Sequence, residues 1–560
     1  MLNGNGSHTV AASWEEIAAR KRHDREVLLS HWADSRALEP APSNGSITRL
    51  TILTPHQIEI TSLPAHQIVK AIAGRVYTSV EVVTAFIRAA VIAQDTTNCL
   101  TEICFQEGLA RAQELDDYQN RTGRTVGPLH GLPVSIKDHI DVRGTDGASG
   151  FVGWAYNRIA AKDAVIVRCI RKAGGVIYGK TSNPQSLLAI ETNNNIYGRT
   201  TNPYNRDLSA GGSSGGEGAL IAMRGSPLGV GTDIAGSIRI PALWNDIWGL
   251  KPSVGRLPHT GLQGPHEGMD AILGCVGPLA PCLEDLSLFC DSILSEQMAP
   301  WNMEAQTLYH PWRRIDHPSD KRLTIAIMMD DGVVLPHPPI LAAMEESVRR
   351  LKTQGHEIVR WKPYATKESD ELLFTLFLQD QGQEYRDHLA LSGEPAVPSI
   401  EWLLTEKAPL MGLNKPNDVW PLVRLREYFR QAAVDRWTDL EESIGRPVDA
   451  ILCPGAPSLA PRHDRSRHWM YTAIWNLYDW PAITFPTRHT TVTSSTSSPW
   501  PPHAPRSTLE QTVWSEWDPN WYTDAPVGLQ LVGRRLQEEK LLADMALIER
   551  ALSLSSDVAS

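Results

Sequence analysis

Gly211-Gly212-Ser213-Ser214-Gly215-Gly216-Glu217-Gly218-Ala219, followed by Gly231-Thr232-Asp233-Ile234-Ala235-Gly236-Ser237-Ile238-Arg239-Ile240-Pro241, is the stretch around which the chain is organised. Glycine at this density weakens helix and strand alike, so its use lies in backbone geometry that other residues cannot adopt. Bare N–H groups can cradle an anion, or the backbone can approach a substrate closely. A flexible Gly/Ser linker fits poorly. Ala219-Leu220-Ile221-Ala222 and Leu228-Gly229-Val230-Gly231 are apolar and belong in a core, which holds the serines between buried elements. A phosphate loop also fits poorly, because no Lys-Ser or Lys-Thr follows the glycines. The third reading is a nucleophile site. Gly212-Ser213-Ser214-Gly215-Gly216 formally matches G-x-S-x-G, but that elbow needs a buried strand just before it. Thr201-Asn202-Pro203-Tyr204-Asn205-Arg206-Asp207 is polar and turn-like instead.

Upstream, Gly131-Leu132-Pro133-Val134-Ser135-Ile136-Lys137-Asp138 reads as a short apolar strand ending in a charge. An amine at a strand end beneath glycine-rich loops is desolvated, which lowers its pKa and makes a neutral, basic form accessible. Taken alone, Lys137 reads as a surface lysine paired with Asp138 or Asp141; its neighbours decide otherwise. Amide hydrolysis needs a nucleophile, a base, an acid for the leaving amine and donors for the oxyanion. No Asp/His pair stands near the serines to form a Ser-His-Asp arrangement, so lysine is the available base.

In this order and spacing the three blocks resemble the amidase signature family, with one departure: Ala235 replaces the first glycine of a Gly-Gly pair. The resemblance implies an α/β fold of three layers, a large mixed twisted sheet covered by helices on both faces. It implies amide hydrolysis through a Ser-cisSer-Lys triad and an acyl-enzyme, with Ser237 attacking, Ser213 bridging and Lys137 as base. The peptide before Ser213 is then cis, and the oxyanion hole is built from the N–H groups of Ile234, Ala235, Gly236 and Ser237. Ala235 keeps its N–H, but a positive φ there would cost about 1–2 kcal/mol, so a negative φ is expected. Ser214, Asp233 and Arg239 are implied as hydrogen-bonding supports. Leu187 and Glu191, in the segment that lines the family's acyl pocket, are implied as substrate-pocket residues. Neither a metal nor a cofactor is implied.

The totals restrict the alternatives. The chain has 560 residues and a net charge of −11, from 53 basic and 64 acidic side chains. No Lys/Arg run of nucleic-acid type is present. Seven cysteines without a C-x-x-C pair indicate neither zinc nor a disulfide framework. No apolar run reaches about 18 residues, and Met1 to Val10 is polar, so no membrane association and a cytoplasmic location are expected. This sets the chain apart from the family's membrane-anchored fatty acid amide hydrolases. A small-molecule amide is the expected partner, and a homodimer is left open.

One domain is expected over residues 13–552, with a tip at 1–12 lacking structure, a helical arm at 13–60 and a tail at 553–560. Trp14-Glu15-Glu16-Ile17 opens an amphipathic arm carrying Ile17, Ala18, Val27 and Leu28, and resembles acetamidase-type members best known from fungi. Thr78-Ser79-Val80-Glu81 is a capping box for a helix packing Val82, Val83, Phe86, Ile87 and Ala90. Residues 366–445 read as mostly helical. A Ser/Thr/Pro-rich stretch from 488 to about 520 is expected as an exposed insertion. Two other readings within the same family stay open: the glutaminase subunit of a tRNA-dependent amidotransferase, and a specialised hydrolase or acyltransferase in a biosynthetic route.

Overall fold

The computed structural model describes residues 12–32, 52–413, 416–487, 503–523 and 525–554. The expected tip at 1–11, residues 33–51 of the expected arm, residues 488–502 of the expected insertion and the tail from 555 to 560 lie outside the described residues. An 11-stranded mixed sheet forms the centre. Its strands run, edge to edge, Leu100–Ile103, Val176–Thr181, Pro133–Lys137, Gly229–Asp233, Cys275–Ala280, Trp248–Lys251, Ala482–Pro486, Gly528–Val532, Ala450–Pro454, Thr324–Ile327 and Glu357–Arg360.

Both faces of this sheet are covered, and one strand shows why. In Val176–Thr181 every residue is buried. Side chains alternate across a strand. Val176 and Tyr178 therefore enter the apolar cluster that holds Val83, Ile87, Phe105 and Leu115, while Ile177 enters the one that holds Ile166 and Ile170. Helices Ser79–Thr97 and Phe105–Thr122 lie on the first side and helix Val165–Lys172 on the second. The first of these starts at the capping box: Thr78 accepts the Glu81 N–H, and the Glu81 carboxylate accepts the Thr78 N–H.

Pro133–Lys137 is parallel to both Val176–Thr181 and Gly229–Asp233, in the register Ser135 to Gly229 and Ile136 to Val230. The C-terminal ends of the two strands that carry Lys137 and Thr232-Asp233 therefore emerge on one edge of the sheet. That edge is where open α/β sheets bind ligands.

Two expectations are corrected. The arm is a helix, Trp14–Ser30, but it docks by charge as much as by apolar contact. Val27 and Leu28 are exposed, whereas Lys21 and Arg25 are buried. Lys21 pairs with Glu102 at 2.7 Å and Asp146 at 3.1 Å, and Arg25 donates to the Leu100 carbonyl at 2.7 Å. The 488–520 stretch is not exposed throughout. Its later part forms helix Thr508–Trp514, in which fully buried Glu510 accepts the Leu335 N–H at 2.7 Å. Trp514, Trp517 and Tyr522 surround the ring of His337 there. Helices Thr366–Phe377, Gln383–Ala390 and Val419–Ile444 occupy the region read as helical. Among the described residues no helix is long and apolar enough to cross a membrane.

Candidate active site

Lys137 ends its strand fully buried, with its Nζ 2.7 Å from Ser213 Oγ and 2.9 Å from Thr232 Oγ1. Burial pushes the amine down to about 7, against the opposing pull of Asp233, Glu217 and Asp138. Glu217 does not cancel this effect. Burial pushes its carboxyl up to about 8, even though Ser135 and Thr181 donate hydroxyl hydrogen bonds to it at 2.5 and 2.8 Å. A neutral amine is therefore available to act as a base near pH 7.

Ser213 stands in the turn before helix Gly215–Ala222, and the Gly212–Ser213 peptide is cis. A side chain at 212 has no room, since a Cβ there would lie 2.5 Å from the Glu191 nitrogen and 2.7 Å from the Ala189 oxygen. Ser214 joins the two motifs: its N–H donates to the Ser237 carbonyl at 3.1 Å, and its Oγ accepts the Thr232 N–H at 3.5 Å.

Ser237 follows a turn fastened by Asp233 and Arg239. The guanidinium grips the carboxylate side-on, Nε to Oδ2 at 3.0 Å and Nη2 to Oδ1 at 2.9 Å, with both side chains fully buried. Burial alone would raise the Asp233 carboxyl. The Arg239 ion pair and hydrogen bonds from Arg239 and Asn476 outweigh it and hold the group below the usual carboxylate range. Arg239 also donates to the Thr472 carbonyl, Gln530 Oε1 and Asn476 Oδ1, which ties the turn to the far half of the chain.

The turn corrects one member of the expected oxyanion hole. The Gly236 N–H donates to Asp233 Oδ1 at 2.8 Å, so it is already engaged. Among the described residues, no acceptor is found for the N–H groups of Ile234, Ala235 and Ser237, which remain as donors. Ala235 does not adopt a positive φ; Gly236 takes that role at φ +131°. A Cβ at 236 would lie 2.9 Å from Thr472 Cβ, and Thr472 Oγ1 donates to the Ala235 carbonyl at 2.7 Å.

Ser213 and Ser237 open into one cavity of about 460 Å³. Among the described residues, no hydrogen bond joins their hydroxyls, and Ser237 Oγ has no partner. Leu187 lines the cavity together with Leu188, Ile234, Leu262, Ile272 and Phe377. Glu191 does not line it. Its buried carboxylate is held outside by Arg199, by His463 Nδ1 at 2.7 Å and by the Asp464 N–H at 2.6 Å, because a buried charge needs partners.

Sequence reading passed over Thr232 and His139. Thr232 lies inside the quoted motif, and His139 stands two positions beyond Lys137, so both were within reach. The cavity wall from His259 to Gly274, with Phe377 and Tyr385, had no local signal; it is assembled from segments over 100 residues apart. Two side-chain groups carry ligand-type atoms close together: His66, Cys282 and Asp285, and His266, Asp380 and Glu384. Asp285 caps helix Ala65–Ala73 by accepting the N–H groups of Ala65 and His66. His266 joins the cavity rim to Asp380 and Glu384 at 3.4 and 3.5 Å.

A family model described as Amidase matches residues 81–542. An acetamidase of Aspergillus oryzae is 38% identical over 95% of this chain and 98% of its own length. An acetamidase of Emericella nidulans is likewise 38% identical, over 95% of this chain and 97% of its own length. Among solved structures, a fatty acid amide hydrolase superposes with a TM-score of 0.90 at 33% identity, covering 96% of this chain and 95% of that one.

Proposed function

The chain belongs to the amidase signature family, and from that premise we propose that it hydrolyses a carboxamide to a carboxylate and ammonia or an amine, by way of an acyl-enzyme on Ser237. The observation that carries this reading is the buried contact of 2.7 Å between Lys137 Nζ and Ser213 Oγ, beside a cavity that also holds Ser237. Ser237 Oγ attacks the carbonyl carbon while its proton passes to Ser213 Oγ, and the Ser213 proton passes to neutral Lys137. The oxyanion is met by the N–H groups of Ile234, Ala235 and Ser237; removing one such donor costs about 3–4 kcal/mol. As the intermediate collapses, Ser213 delivers a proton to the leaving nitrogen and takes one from the lysine. Water activated by the same relay then releases the acid.

The cavity supports an acyl or amine group well beyond acetamide. Its volume, about 460 Å³, falls in the range of roughly 300–1,000 Å³ that accommodates drug-sized ligands, and much of its wall is apolar. A stand-alone enzyme is favoured over an amidotransferase subunit by near-full-length similarity to proteins named acetamidase. Linear carboxamides of rising length, assayed on wild type, Ser237→Ala and Lys137→Ala, test the reading. Loss of turnover in both variants is expected, with kcat/KM highest for amides longer than acetamide. Undiminished hydrolysis by either variant refutes it.

A further inference from the structure

The Thr232 hydroxyl sits between two nitrogens. It accepts from Lys137 Nζ at 2.9 Å and lies 2.9 Å from His139 Nε2. On the far side of the ring, His139 Nδ1 lies 3.0 Å from the Gln263 carbonyl oxygen, which can only accept. Nδ1 therefore carries the ring proton, and Nε2 offers a lone pair. The single hydrogen of Thr232 has one place to go, which is His139 Nε2.

The ring is held in that state. The Gln263 N–H donates back to the His139 carbonyl at 2.7 Å, and the Ser149 hydroxyl donates to the same Gln263 oxygen at 2.8 Å. The titratable groups facing the ring are Lys137 at its own strand end, Lys180 on the neighbouring strand and His259 on the cavity rim. Burial first, and then these groups, hold His139 well below its usual range.

We propose that His139 is a positioning residue: by taking the Thr232 proton, it leaves Thr232 only a lone pair to offer Lys137, which turns the amine's own lone pair toward Ser213. The inference rests on the Ser237–Ser213–Lys137 reading and adds a fourth and a fifth group behind it. Neutral lysine must receive the Ser213 proton, so its lone pair has to face Ser213. Thr232 with a free proton would rotate, donate to the amine and cap that lone pair.

His139→Leu and His139→Gln separate the possibilities, with kcat measured against pH. Leucine removes the acceptor, and kcat is expected to fall about 10- to 100-fold, part of the usual contribution of a positioned proton transfer. The acid limb of the profile is expected to move to lower pH, because the released Thr232 hydroxyl stabilises the neutral amine. The amide oxygen of glutamine restores an acceptor, and most of kcat is expected to return. Thr232→Val is expected to lower kcat as His139→Leu does, with no further loss when the two are combined. Full kcat in His139→Leu overturns the proposal. So do losses that multiply in the double variant, or an acid limb that moves up, the sign of water reaching the lysine. Lys137→Ala in the same series keeps the two readings distinct: undiminished turnover with the same acid limb refutes the lysine base itself, whereas loss of turnover leaves His139 alone in question.

Discussion

Acidification is the perturbation that tests the site most directly. Burial brings Lys137 from 10.5 down to about 7, a difference worth about 5 kcal/mol at 1.36 kcal/mol per unit. The neutral fraction is then about one half at pH 7, about a tenth at pH 6 and about a hundredth at pH 5. An ordinary lysine would be neutral in only about one molecule in 3,000 at pH 7, so burial multiplies the available base about 1,500-fold. The sign follows from the base: activity needs the unprotonated amine, so kcat/KM rises with pH and levels off above about 7. Stability moves in the same direction. Between the folded value of about 7 and the unfolded 10.5, the unfolded chain holds the extra proton, so the fold gains stability as pH rises across that window. The assay is kcat/KM for a neutral amide from pH 5 to 9, paired with the rate at which a fluorophosphonate labels Ser237. Both should lose about tenfold per pH unit below the limb. A flat profile between pH 5 and 8, or a limb lying near the ordinary lysine value, refutes the buried-lysine account.

Asp233→Asn leaves the buried Arg239 charge without its partner, so a loss of about 3–5 kcal/mol and a fall in Tm by calorimetry are expected, together with loss of turnover as the turn before Ser237 loosens. Leu273→Trp places a larger side chain at a partly exposed position of the cavity wall; KM should rise for long amides and stay nearly unchanged for short ones, with Tm little affected. Glu191→Gln removes a buried partner of Arg199 and His463 outside the cavity, so thermal stability should drop while the ranking of amides by kcat/KM stays the same. A changed ranking would return Glu191 to the pocket.

The strand Pro133–Lys137, the capping box at Thr78 and the three motif blocks were legible because each is a local pattern: alternation, a side chain reaching three residues along, glycine where side chains have no room. The same holds for Lys137, Ser213 and Ser237 as chemical candidates. The sequence alone could name those three groups and, through the family resemblance of the blocks that hold them, a large mixed sheet. The relation among them needed the folded chain, because Lys137 and Thr232 become neighbours only through the parallel register of two strands far apart in sequence. Folding likewise moved Glu191 out of the pocket, engaged the Gly236 N–H with Asp233, and brought the ring of His139 to Thr232 and Gln263. Charge, hydrogen-bond partners and water exclusion are properties of surroundings, and the surroundings of each group come from segments that no local pattern links.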